Sequence, residues 1–157
     1  KTLLWKLIIP ATIISFAGFT KWWYIGIDEM NEVFTGFPFP YVCAGWHTSL
    51  SLQIFVLELA LDLMVYFAFW FMVIYAINRY HRKIMVSKPV TIILISISGF
   101  IFSVTLFWMS ITHNDNLYYI KNPYSLKVID SGYRFFWEIG INQRIDNNIE
   151  RIYSSSF

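Results

Sequence analysis

The chain has 157 residues and a formal charge of +2, with 57% hydrophobic, 20% aromatic and only 14% charged residues. Soluble domains carry roughly 25% charged residues, so this composition, with a mean hydropathy of +0.51, places much of the surface in lipid. The weak, dispersed charge argues against nucleic-acid binding; the single cysteine, Cys43, excludes an internal disulfide and a thiolate metal cluster.

Length allows one compact unit over 1–157. The pattern of apolar runs predicts an all-α integral membrane protein: three transmembrane helices, with a small extracytoplasmic cap built from the 1–2 loop and the C-terminal tail. The first span covers about 3–19. Lys6 lies near one end and Pro10 inside it, which predicts a kink. This segment also imitates a signal peptide, with Ser15-Phe16-Ala17 as a poor cleavage site. It is read as a retained span because it is still part of the chain.

An outer loop follows over 20–48. It opens with Lys21-Trp22-Trp23-Tyr24 and continues into GFPFPYVCAGWH at Gly36–His47. Prolines bias the residues before them toward extended backbone. The loop is therefore expected to lie along the membrane surface as a rigid, aromatic, non-helical stretch. Phe37, Pro38, Phe39, Pro40 and Tyr41 then form either a lid over the helices or a docking surface for an outer partner.

The second span covers about 49–77. Its run LSLQIFVLELALDLMVYFAFWFMVIYAI, Leu50–Ile77, carries Glu58 and Asp62 one helical turn apart near its centre. Acids at mid-membrane depth are costly and need a partner or a purpose. Spacing i,i+4 puts both on one face; Tyr66 continues the stripe and Gln53 lies near it one turn outward. The functional reading of Glu58, Asp62 and Tyr66 is a proton or cation site. The alternative is a lock between helices, or a pair with a basic residue of another subunit, because no base of this chain sits at matching depth.

The turn over 78–88, NRYHRKIMVSK, holds Arg79, Arg82, Lys83 and Lys88 and no acid. Short loops rich in Lys and Arg stay in the cytoplasm. The N-terminus then lies inside, while the 20–48 loop and the 112–157 tail lie outside. Arg79, Arg82 and Lys83 also suit anionic lipid headgroups, as does His81. On this topology Trp22, Trp23, Trp46 and Trp108 mark the outer interface, and Trp5, Tyr75 and Tyr80 the inner one.

The third span covers about 89–111, with Pro89 well placed at a helix start. Ser96, Gly99 and Ser103, continued by Ser110, fall on roughly one face. Small residues allow close helix approach, either within the chain or against a partner's helix. The tail over 112–157 is too apolar for disorder. Asp130–Gly140 reads as a short interfacial helix or a strand, and the tail is expected to pack with the 20–48 loop, burying apolar surface neither could bury alone. His47 and His113 come out at similar depth at the outer mouths of spans two and three, with Cys43 and Asp115 near them in sequence. That pairing admits a divalent metal or an axial haem ligand. The spacing matches no motif, so no cofactor is predicted.

A first span, an outer GFPFPY stretch and an acid-bearing second span resemble small bacterial inner-membrane proteins over about residues 1–80. The resemblance implies an inner (cytoplasmic) membrane location and no particular activity. No catalytic motif is visible. The expected function is a small accessory or structural subunit of a larger bacterial inner-membrane assembly, partnered by the bilayer and by other membrane subunits. The alternatives are a transporter or proton-relay component using Glu58 and Asp62, and a membrane redox or metal-binding protein using His47 and His113.

Overall fold

A computed structural model describes residues 3–27, 30–45, 51–81, 86–111, 115–123 and 127–135. Helix α1 opens as a π-helical stretch, Leu4–Ile8, and continues as Ile9–Gly18. Four strands follow: β1 (Phe19–Ile27), β2 (Met30–Thr35), β3 (Val42–Ala44) and β4 (Leu52–Phe55). Then come α2 (Val56–Ala76), extended by a π-helical stretch at Ile77–His81, α3 (Lys88–Ile111), β5 (Leu117–Tyr119) and β6 (Lys127–Phe135).

The expected all-α architecture with three spans is therefore wrong. The described residues hold three helices and a six-stranded sheet ordered β5-β4-β3-β2-β1-β6. Two helical segments, Val56–Tyr80 and Lys88–Ile111, are long and apolar enough to cross a membrane; Leu4–Gly18 is too short to meet that test. At 1.5 Å per residue, α1 reaches only about 22 Å, against a hydrocarbon core of about 30 Å. Pro10 sits just after the π-helical stretch, inside the continuous helix; π-bulges and prolines are both places where a helix bends.

The segments read as surface loop are strands because they are rich in aromatic and β-branched residues, which favour a pleated, half-buried surface. Strand β1 pairs antiparallel with β6 from Phe19 onward and, on its other side, with β2 from Trp22 onward. Trp22 and Trp23 are thus sheet residues: Trp23 Nε1 donates to Gly36 O at 2.8 Å, and Lys21 Nζ sits 3.6 Å over the Trp23 ring. Gly132 lets β6 approach the Trp22 indole, which a Cβ there would meet at 2.7 Å.

Every strand pair is antiparallel except β4 with β5, where Ile54 pairs with Tyr118 in a parallel register. A parallel pair needs a long crossover. Here that crossover runs through both α2 and α3, so β4 leads into α2, and β5 follows α3 on the same sheet. Helix α1 also ends directly in β1. All three helices thus have one end at the sheet, and His81, where the α2 extension ends, and Lys88, where α3 begins, lie at the other ends of their helices. Helix α1 packs against both α2 and α3.

The core sits within the sheet: Ile25, Phe34, Cys43 and Phe55 are buried together, flanked by Trp23 and Tyr119. Phe34 and Phe55 stack at 5.9 Å, and Phe55 and Tyr119 at 6.0 Å. The long helices, in contrast, keep their apolar side chains outward. Only 17% of the α2 window and 6% of the α3 window is buried.

Candidate functional site

Helix α2 carries a polar residue every fourth position on its inner face: Glu58, Asp62, Tyr66 and Trp70. Each step advances about 6 Å along the axis, and each side chain bonds a different segment. Asn122 N donates to Glu58 Oε1 at 3.1 Å. Phe39 N donates to Asp62 Oδ1 at 2.8 Å, and the Phe37 N–H also bonds the Asp62 carboxyl. Tyr66 Oη donates to Phe19 O at 2.7 Å. Trp70 Nε1 donates to Ser15 Oγ at 2.8 Å. This ladder fastens α2 in turn to the loop after β5, the β2–β3 loop, the start of β1 and helix α1.

The acids are not at the middle of the helix. Because Leu52–Phe55 is a strand, α2 begins only at Val56. Glu58 lies in its first turn and Asp62 in its second, alongside the loops that cap the helix. Leu57 N donates to Ile120 O at 3.0 Å, closing the same end. The expectation that the acids lack a partner within the chain came from counting basic side chains. Their partners are backbone amides, which satisfy a buried carboxylate as charge-assisted donors. Asp62 is fully buried. Its Oδ2, and Oε2 of Glu58, have no hydrogen-bond partner among the described residues.

The loop that Asp62 holds is the Gly36–Tyr41 stretch. Gly36 has φ +152°, and a Cβ there would overlap Phe39 O and lie 2.8 Å from Tyr41 N, so only glycine fits. The Phe37–Pro38 peptide is cis. Gly36 N donates to Lys21 O at 2.9 Å, Tyr41 N to Thr35 O at 3.0 Å, and Phe55 N to Tyr41 O at 2.8 Å. Phe37 meets Phe19, Tyr66 and Tyr133 edge-on at 5.6, 6.3 and 5.7 Å. The Tyr133 contact joins this loop to the tail. Phe16 stacks on Tyr41 at 5.4 Å. Burial, followed by the nearby Asp62 carboxyl and Tyr66 phenol, holds the Tyr41 hydroxyl well above its ordinary pKa. Burial, with Glu32 adding to it, pushes the Cys43 thiol up to about 12.

Beneath Phe37 lies a cavity of about 380 Å³ lined by Phe19, Phe37, Val65, Tyr66, Phe69, Trp70 and Ser15. Gln53, expected near the acidic stripe, lies instead in β4, buried, with Nε2 donating to Ala44 O at 3.4 Å. On α3, Ser96, Gly99 and Ser103 are all exposed, and a Cβ built at Gly99 meets nothing within 4 Å. Ser98, between them, is the buried one. Arg79 falls in the π-helical end of α2. Arg82, Lys83, His47 and His113 lie outside the described residues. No group of three His, Cys, Asp or Glu side chains able to hold a metal occurs among the described residues. Trp70 completes the ladder and was missed in the sequence, although one more step of four from Tyr66 reaches it.

No protein-family model, curated protein or solved structure matches the chain.

Proposed function

We propose that the protein is a small membrane subunit, anchored by α2 and α3, that carries its sheet on the outer side of a bacterial inner membrane and docks onto a partner helix through α3. The observation that carries this reading is the open Ser96–Gly99–Ser103 face, where a Cβ at Gly99 would touch nothing. Within a bilayer, helices associate through close packing of small residues. This chain builds such a face and leaves it turned away from its own helices. The exposure of the apolar side chains supports the membrane setting: a core helix of a soluble protein would bury most of its surface, whereas Ile92, Phe100 and Phe107 are left bare. Orientation follows the basic turn, whose Arg79, Arg82, Lys83 and Lys88 favour the cytoplasm.

The test is Gly99→Leu in the full-length chain. The open space predicts unchanged thermal stability of the isolated protein in detergent. Recovery of a stoichiometric membrane partner, read by mass spectrometry after mild solubilisation, should fall several-fold. Equal recovery with and without the leucine would refute docking through this face.

A second reading, proton relay through Glu58 and Asp62, draws on the two carboxylate oxygens without partners among the described residues. Asp62→Asn separates the two. The subunit reading expects assembly and activity to survive, and the relay reading expects assembly to survive with activity lost.

A further inference from the structure

We infer that the cavity beneath Phe37 is a binding site for the acyl chain of a bilayer phospholipid, entered sideways from the membrane. The inference rests on the reading of α2 as a span. Three observations carry it. The first is shape: at about 380 Å³ the cavity falls in the range of ligand pockets, roughly 300–1,000 Å³, which favour apolar, aromatic walls between helices.

The second is chemistry. The polar groups on its walls bond one another or the backbone: Tyr66 Oη donates to Phe19 O, and Trp70 Nε1 donates to Ser15 Oγ. With those donors engaged, a water molecule would find too few partners to settle, and apolar cavities of this kind take apolar guests. The same engagement leaves little to select a polar headgroup, so the walls suit plain hydrocarbon. The third is access. Val65 and Phe69, 42% and 54% exposed, belong both to the lining and to the bare outer face of α2. The mouth therefore opens where acyl chains would be. Phe37 on the opposite wall belongs to the loop anchored to Asp62, so the cavity is preformed and the guest need not order it.

The experiment uses the full-length protein in vesicles of phosphatidylethanolamine and phosphatidylglycerol. They contain a trace of a phosphatidylglycerol analogue with a mid-chain diazirine. After photolysis, adducts are located by mass spectrometry. The expected result is labelling of Phe37, Tyr66 and Trp70, together with the outward residues Met72 and Phe100. Val65→Trp, at an exposed position that tolerates a large side chain, should fill the mouth and cut cavity labelling several-fold while leaving Met72 and Phe100 labelled. Labelling confined to outward residues would overturn the cavity site and leave the span reading standing. Absence of label from α2 and α3 altogether would overturn both. Cavity labelling by a diazirine polyprenyl phosphate but not by the acyl probe would overturn the acyl chain as occupant.

Discussion

Replacing Asp62 tests whether the ladder holds the sheet to the helices. Asp62 Oδ1 accepts the Phe39 N–H at 2.8 Å, and the Phe37 N–H bonds the same carboxyl. A hydrogen bond to a charged group contributes about 1.5–3 kcal/mol. Asp62→Leu removes the acceptor of both bonds, a loss of about 3–6 kcal/mol on those figures. It also removes Oδ2, which is buried without a partner among the described residues, and relief of that burial returns part of the loss. A net destabilisation of about 2–3 kcal/mol is expected. Asp62→Asn keeps one oxygen for Phe39 and should cost about 1 kcal/mol. For a chain of this size the difference between Leu and Asn corresponds to about 2–8 °C in Tm. Thermal unfolding in detergent, followed by near-ultraviolet circular dichroism, measures it. A leucine variant as stable as the wild type, or more so, would refute the latch. The carboxylate would then be a cost the fold carries for another purpose, such as proton movement.

Two further substitutions probe the sheet and its loop. Gly36→Ala places a Cβ on Phe39 O and should destabilise by more than the roughly 1 kcal/mol of an ordinary Gly-to-Ala mismatch, read as a lower Tm; a Tm at or above the wild-type value would contradict the loop geometry. Cys43 should resist iodoacetamide at pH 8 in the native protein and react on unfolding in dodecyl sulfate, because the thiolate is the reactive form and the folded thiol ionises only near 12, against an ordinary 9.0. The folded value is the higher one, so the contribution of this thiol to stability is complete below pH 9.0 and is lost as pH rises toward 12.

The sequence shows α2 and α3 plainly because long apolar runs have few competing explanations. Their edges are less visible. Leu52–Phe55 is as apolar as the helix it precedes, and nothing in Leu-Gln-Ile-Phe separates a short buried strand from a first helical turn. The sheet stays hidden for a different reason. Trp22, Trp23 and Tyr24 are favoured both at a membrane interface and in strands, and the neighbouring spans tilt the reading toward the interface. Phe34 and Cys43, which pair across β2 and β3, carry no pattern long enough to correct it. At the site, the i,i+4 stripe of Glu58, Asp62 and Tyr66 is legible, but its partners are not. Three of them are backbone groups of Asn122, Phe39 and Phe19, and the main chain is the same at every position. The open face of α3 is legible as a row of small residues; that it faces away from α1 depends on which side of the helix buries Ser98.

The most direct test of the account is the placement of the sheet and the 78–88 turn on opposite sides of one membrane. Cysteines introduced singly at Val128, exposed in β6, and at Ser87, exposed before α3, can be probed in intact cells with an impermeant maleimide, and Cys43 contributes little background because it is buried. Labelling is expected at Val128→Cys in intact cells, and at Ser87→Cys only after the membrane is opened. Labelling of both positions before opening, or of neither, would place the sheet and the basic turn on the same side and contradict the crossing of the membrane by α2 and α3.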